Sequence, residues 1–418
     1  MKQLETAFAR SLIKGELPDS WGLFPLGEVI MKTEYGLNDP TSADGNVPIV
    51  GMREINDGIV SLSGEGKIIG CPGGLVNQML RAGDILINRT NSPDLVGKCG
   101  IVRENAPSVF ASYLVRLSVD REKADTEYIN YWMNSRTAGV AVKRISTRAV
   151  SQANINPTEL LKNCPLPLPP LPEQSKIAEI LRTWDEALEK LAALRAAKER
   201  RLGALRYAML FGELHLDDQR RNWVPTRLAA VTHELTTRNG AKGLGRDYVM
   251  GVTKAQGVVP MREQTIAGDI SRYKRLPPRA FAYNPMRINV GSIAMNERNE
   301  EVLVSPDYVV FACNADGLDP DYLDHLRKTS WWAHYINSGG SGSVRQRTYY
   351  DDLAALKLPL PELDEQKAIA AVLNTARDDL AATEREIEAV TLQKRGLMQK
   401  LLTGEWRVKL KSDQKEFS

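Results

Sequence analysis

No stretch of this 418-residue sequence stays apolar and uncharged for the length a bilayer crossing needs, which excludes a helical membrane protein. The opening residues, MKQLETAFARSLIKGEL, carry Lys2, Glu5 and Arg10 and have no unbroken apolar centre, so they do not read as a secretion signal. Cysteine is scarce. Cys71, Cys99, Cys164 and Cys313 lie far apart with no CxxC pair, which argues against a zinc knuckle or a disulfide framework and fits a reducing cytosol. His215, His233, His325 and His334 are equally scattered, so no metal site is expected. Charge of one sign is lacking too: 55 basic and 52 acidic residues leave a net +3, which neither demands nor excludes a nucleic-acid partner. The expected compartment is the cytoplasm.

Motifs that carry chemistry are also missing. A methyl-transfer enzyme acting on a flipped base would need a glycine loop after a strand and an Asn/Asp-Pro-Pro-aromatic run; Asn284-Pro285-Met286 lacks the second proline and the aromatic. Gly64-Glu65-Gly66-Lys67 has neither the spacing of a phosphate loop nor a hydroxyl residue after the lysine, and reads as a turn. Pro93-Asp94 and Pro306-Asp307 have no acidic-x-Lys partner for a nuclease site. The chain is therefore expected to be non-catalytic.

What is present is a duplication. LPLPPLPEQSKIAEIL (166–181) returns as LPLPELDEQKAIAAVL (358–373), and the offset of 192 holds without a gap to Gly-Glu at 212–213 and 404–405, with 17 of 48 pairs identical. Each copy opens with alternating Leu and Pro, which cannot continue a helix and reads as an extended strand or rigid linker. A long helix follows. In the second copy Ile369, Leu373, Ala376, Leu380, Thr383, Ile387, Val390, Lys394, Leu397 and Leu401 alternate by four and three, a heptad seam with two polar interruptions. In the first copy Ile177, Leu181, Trp184, Leu188 and Leu191 keep that beat; the register is expected to shift through Leu194 and resume at Leu202, Leu205 and Met209. A partial third copy, SLIKGELPDSW (11–21), resembles AMLFGELHLDDQRRNW (208–223) and KLLTGEWRV (400–408), each with a glycine placed to cap a helix end. The expected architecture is α+β: two mixed α/β domains separated by two long helices that form an antiparallel coiled coil, in a pseudo-twofold cyclic arrangement. A coiled coil between two copies of the chain is the plainer alternative.

The expected boundaries are an N-terminal helix at 1–20, a first globular domain at 21–165, a first long-helix region at 166–215, a second globular domain at 216–357, a second long-helix region at 358–408, and a tail at 409–418. The two globular domains begin alike, with Trp21 and Leu26 against Trp223 and Leu228, and end alike, DTEYINYWMNS (125–135) against DPDYLDHLRKTS (319–330). Their interiors do not align. Basic residues number 14 against 14 acidic in 21–155, and 18 against 12 in 220–350, so any nucleic-acid contact must rest on placement. Two loops stand out as equivalent: Lys143, Arg144 and Arg148 leading to Gln152 and Asn154, and a Gly/Ser run at 338–343 leading to Arg345, Gln346 and Arg347. Glycine admits a phosphate closely, while Arg, Gln and Asn offer bidentate contacts to base edges; an ordinary solvated turn is the alternative for each. Asn88 and Arg89 with Thr90, Asn91 and Lys98, and Arg287 and Arg298 with Asn284 and Asn296, are further candidates, although Asn88 to Thr90 equally fits hairpin turn chemistry.

Taken together, the doubled Glu-Gln boxes (167–174 and 359–366), the helices after them, AGDILINRT and LVGKCGIV in the first domain, and AFAYNPMRINVGSIA and VLVSPDYVVF in the second resemble the specificity subunit of Type I restriction-modification systems. The resemblance covers nearly the whole chain. It implies two target recognition domains, each reading half of an asymmetric bipartite double-stranded DNA sequence, and helices that act as a ruler and dock two methyltransferase subunits and motor-nuclease subunits. It also implies S-adenosylmethionine on the methyltransferase, ATP and Mg²⁺ on the motor-nuclease, and none of these on this chain. A scaffold without sequence recognition, or the specificity chain of a related multisubunit methylation system, are the alternatives.

Overall fold

The computed structural model describes residues 11–13, 16–39, 41–62, 66–70, 72–105, 107–148, 152–216, 223–241, 243–338 and 347–410. The chain divides into two compact units, residues 1–191 with 386–418 and residues 192–385.

The first unit is built on a six-stranded sheet in the order Ile30–Tyr35, Leu114–Val119, Ile85–Asn88, Cys99–Ile101, Ile59–Val60, Ile55–Asn56. Neighbours run antiparallel except Ile59–Val60, which is parallel to Cys99–Ile101. Ile85–Asn88 is buried at every position, the pattern of a central strand covered on both faces. Helices α1 (Thr126–Met133), α2 (Arg136–Ile145) and α3 (Pro157–Asn163) close the core, and α4 (Leu171–Leu210) leaves it. Their starts are local chemistry. The side chains of Asp125, Ser135 and Asn156 accept the Tyr128, Ala138 and Thr158 backbone N–H groups at 3.0, 3.2 and 2.9 Å. Tyr128 and Trp132 of α1 are fully buried and donate to the carbonyls of Pro167 (2.7 Å) and Pro165 (2.8 Å), so the Leu-Pro segment is fixed from one side by this helix. Its other side is strand Gly22–Pro25, antiparallel to Pro165–Leu168.

The second unit repeats this plan around a four-stranded antiparallel sheet, Thr232–Glu234, Val309–Cys313, Phe281–Tyr283, Ile293–Met295. Its helices are α5 (Leu228–Val231), α6 (Pro320–Leu326), α7 (Ser330–Ser338), α8 (Tyr350–Ala354) and α9 (Leu363–Leu402). Asp319 caps α6 through the Asp321 and Tyr322 N–H groups, as Asp125 caps α1. The second Leu-Pro segment, Lys357–Leu360, pairs antiparallel with Val224–Arg227. Phe281 and Phe311 stack in the core at 5.2 Å between centroids.

The two 40-residue helices α4 and α9 pack together. In the first unit Ile177 and Leu181, near the start of α4, share a core with Leu397 and Leu401, near the end of α9. In the second unit Leu202, Leu205 and Met209 meet Ile369, Leu373, Ala376 and Leu380. Early residues of one helix facing late residues of the other make the pair antiparallel, as expected. All ten α9 seam positions read from the sequence are buried or half-buried. Gly212 and Gly404 end the helices with φ of +73° and +75°, a left-handed cap that glycine adopts without strain.

One expectation fails. The register of α4 does not shift at Leu194, which is 45% exposed. The alternation runs on from Leu191 through Lys198 to Leu202, and Lys198 donates to Asp379 Oδ1 (2.7 Å) and to the buried Thr383 Oγ1 (2.9 Å). Spacing outweighs side-chain type here: a lysine whose stem lies in the seam and whose ammonium finds two oxygens holds the position, and the leucine beside it faces water. Leu194→Ala is accordingly expected to change stability by no more than ~0.5 kcal/mol. Leu188→Ala, at a half-buried seam position, is expected to cost about 1–2 kcal/mol, less than a full core truncation. Thermal denaturation of the two variants measures the difference, and equal losses would restore the shifted register.

Candidate nucleic-acid interface

In both units a buried strand runs into asparagine and turns sharply. Asn88 is fully buried; its N–H donates to the Lys98 carbonyl (2.8 Å), and its Oδ1 accepts the Thr90 N–H (3.2 Å). Asn284 does the same, donating to Ser292 O (3.3 Å) and accepting the Met286 N–H (2.9 Å). The chain returns through Gly97 (φ +85°) and Gly291 (φ +91°); a Cβ on Gly97 would stand 2.3 Å from Val142 Cγ1. Asn88 is therefore a turn residue rather than an exposed reader, the plainer of the two readings its sequence allowed.

The segment before the last small helix of each domain comes back to this turn. Ile155 N–H donates to Arg89 O (2.8 Å), and Thr348 N–H donates to Pro285 O (3.1 Å). In the first unit the return builds a three-stranded ribbon: Thr147–Arg148 pairs with Ala153–Asn154, which pairs with Thr90–Asn91. Thr90 Oγ1 donates to Asn154 Oδ1 (3.0 Å). Arg89 donates from Nε to Ser112 O (3.2 Å) and from Nη1 to Asn154 Oδ1 (3.5 Å), and its guanidinium lies 5.2 Å from the ring centre of Tyr35, which is 57% exposed. The ribbon thus gathers Arg89 and Asn154, 65 residues apart in sequence, with Tyr35 beside Arg89 and the backbone of Arg148 paired to Ala153. Lys143 and Arg144 lie elsewhere than expected. They are exposed in the last turn of α2 rather than in a loop, where a positive charge complements the carbonyl end of the helix, and Lys143 Nζ is 3.6 Å from Asp94.

In the second unit Arg287 and Arg298 are exposed, and neither side chain has a hydrogen bond or ion pair among the described residues. Arg298 borders a cleft of about 930 Å³ with Lys254, Gln256 and Trp332. Arg347 lies 3.4 Å from the Tyr349 hydroxyl and shares a smaller cleft of about 360 Å³ with Asn284, Lys274 and Tyr308. Asn296 is fully buried and spends both amide hydrogens on Leu276 O and Glu300 O, so it is part of the frame. Arg345 and Gln346 lie outside the described residues, as does Cys71.

Burial raises the thiol pKa of Cys99, Cys164 and Cys313 to about 12, so they are neutral near pH 7 and pack as small apolar groups. Among the described residues no three His, Cys, Asp or Glu side chains group as metal ligands, and no helix is long and apolar enough to cross a membrane.

The doubled Glu-Gln box has a geometry the sequence did not disclose. Gln174 is 1% exposed; its Oε1 accepts the Asp125 N–H (2.8 Å), and its Nε2 donates to Pro169 O (2.8 Å) and Lys123 O (3.4 Å). Gln366, also 1% exposed, accepts the Asp319 N–H (2.9 Å) and donates to Pro361 O (3.0 Å) and Gly317 O (3.1 Å). Beside Gln174, the Glu173 carboxylate receives the Trp21 indole N–H (3.1 Å) and the Arg407 guanidinium (2.6 and 2.9 Å). The residues one repeat away are Glu365 and His215, 3.6 Å apart.

Comparison with known proteins places this arrangement. The family model for the Type I restriction modification DNA specificity domain matches residues 18–197. The putative type I restriction enzyme MjaX specificity subunit of Methanocaldococcus jannaschii is 25% identical over 426 residues, covering 94% of this chain and 96% of that one. The MjaVIII specificity subunit of the same organism is 22% identical over 434 residues, covering 94% of each. The crystal structure of the Type I restriction-modification S subunit from M. genitalium shares the fold, with a TM-score of 0.58 at 13% identity over 93% of this chain and 98% of that chain.

Proposed function

Because this chain belongs to the specificity-subunit family of Type I restriction-modification systems, whose members are the non-catalytic component, we propose that it reads a bipartite, asymmetric double-stranded DNA target and holds two methyltransferase subunits and the motor-nuclease subunits at that target. In this family S-adenosylmethionine and ATP belong to those partner subunits. The proposed recognition domains are residues 21–165 and 216–357, working in the cytoplasm, with the α4–α9 pair setting the separation of the half-sites.

The observation that carries this reading is the recurrence of one polar corner in both units: an asparagine turn at the end of a buried strand, with the segment before α3 or α8 returning to it. A rigid sheet fixes the corner, while the residues on it differ between the units, as two readers of different sequences require. In the first unit the proposed contacts come from Arg89, Arg148 and Asn154 with Lys143 and Arg144 nearby; in the second, from Arg287, Arg298 and Arg345 to Arg347. Arginine gives bidentate contacts to guanine edges or phosphate, and asparagine to adenine.

The test is to express the chain with its methyltransferase and sequence the modified bases of the host genome. A motif of two short half-sites around a fixed run of unread bases is expected, and exchanging residues 216–357 for those of a relative should change one half-site only. Modification without such a motif would overturn the reading. Within it, Arg287→Ala and Arg298→Ala are each expected to weaken cognate binding by about 1–3 kcal/mol if they read a base, with specificity relaxed at that position. If they hold phosphate, all sequences should weaken alike and the salt slope should fall by about one. Unchanged affinity in both variants would remove them from the interface.

A further inference from the structure

We propose that Gln174 and Gln366 are positioning residues that set the angle of each recognition domain on its long helix, and so determine how strictly the spacer between the half-sites is measured. The proposal rests on the reading above and adds to it the joint through which a ruler acts on its readers.

This position has three backbone groups to satisfy. Near the start of each long helix three backbone groups converge: one N–H, from Asp125 or Asp319, and two carbonyls, from Pro169 and Lys123 or from Pro361 and Gly317. A single side chain meeting one donor and two acceptors has to offer an acceptor and two N–H groups, at the end of a chain long enough to reach. Glutamine alone does so: glutamate has no donor, and lysine and arginine have no acceptor. The same residue, with the same three kinds of bond, stands in both units although the domains it holds differ inside.

What it holds matters as much. Asp125 and Asp319 are the caps of α1 and α6, and these helices carry the fully buried Tyr128 and Tyr322 into the domain cores. The amide therefore joins the first turn of a long helix to the first turn of a recognition-domain helix by directional bonds, and in the first unit it extends to the helix itself the hold that Tyr128 and Trp132 have on the Leu-Pro segment before it. In the first unit Ser175 Oγ adds a bond to the second oxygen of Asp125 (3.0 Å).

The experiment uses the complete chain with its methyltransferase and reads the modified bases genome-wide for Gln174→Leu and Gln174→Glu. Gln174→Glu keeps the acceptor for Asp125 and loses both donors. Val29→Ala, a fully buried truncation in the same unit, serves as a control for plain destabilisation. The expected result is that both half-sites are retained while modification at spacers one base pair longer or shorter rises about tenfold relative to the proper spacer, the ratio that corresponds to ~1.4 kcal/mol of lost angular restraint. Val29→Ala should lower modification without broadening the spacer. A spacer as strict as in the parent chain, equal broadening in Val29→Ala, or loss of the assembled complex in both glutamine variants would each overturn the proposal. If the parent chain yields no bipartite motif at all, it is the functional reading that has failed, and this shows before any variant is compared.

Discussion

Removal of seven residues from each long helix, 188–194 from α4 and 384–390 from α9, is expected to shorten the spacer of the DNA target by about three base pairs and to leave both half-sites as they are. Seven residues at ~1.5 Å each take ~10 Å out of a helix, and one base pair rises ~3.4 Å. A whole heptad is the right quantity because the seam alternates by four and three: Thr383 and Lys394 become four apart, and Trp184 is followed by Arg195, Lys198 and Leu202 in the original beat. The deletion turns each helix by only about 20°. Three base pairs of DNA turn by about 100°, however, so the shortened protein meets its second half-site on a rotated face of the duplex. Modification at the new spacer is therefore expected to be less efficient than in the parent chain, the shortfall being the work of twisting DNA. Deleting the heptad from α4 alone leaves it ~10 Å shorter than α9, so its contacts near the two ends, Ile177 and Leu181 with Leu397 and Leu401 and Leu202 to Met209 with Ile369 to Leu380, cannot both form, and assembly should fail. Sequencing of modified bases decides the matter: a truncated chain that still selects the original spacer would show that the helices do not measure it.

Much of this organisation is legible in the sequence. The 192-residue offset, the leucine seam of α9 and the capping glycines at 212 and 404 are local or periodic signals, and helix packing and cap geometry follow from them. What escaped the sequence lay at long range. Gln174 meets Asp125 across 49 residues, and Gln366 meets Asp319 across 47, so the repeat marked these glutamines without saying what they touch. The ribbon that brings Arg89 beside Asn154 joins positions 65 apart. Elsewhere residue type is a poor guide. Lys143 and Arg144, expected in a loop, end a helix, and the apolar Leu194 faces water while Lys198 fills the seam. In each case the physical reason is the same: polar tips reach partners that spacing alone does not name, and apolar residues also populate surfaces.

Acidification is expected to weaken the second unit through His325. His325 has no solvent exposure. Arg206 Nε donates to its Nδ1 at 3.3 Å, which leaves that nitrogen without a proton, so the proton sits on Nε2, 3.0 Å from Asn374 Oδ1. Burial, and then the Arg206 and Lys328 charges against the opposing pull of Asn374 and Asp324, bring its pKa down to about 4 from 6.5. Between those values the unfolded chain binds a proton that the folded one refuses. The neutral histidine's contribution is thus fully present above pH 6.5 and falls away as pH drops towards 4, by ~2 kcal/mol at pH 5 and about 3 kcal/mol in all. Asp324 runs in a separate window. Burial would raise it, but Arg327 and Lys328 hold it below the ordinary carboxylate value, so its contribution is lost only at pH below ~4. The measurement is denaturant unfolding of the full chain at pH 7 and pH 5, compared with His325→Gln. The glutamine variant should be the less stable of the two at pH 7 and should lose less of its stability on going to pH 5. An equal loss in both proteins would remove His325 as the cause, because no other change in the variant could preserve a proton uptake that belonged to the imidazole.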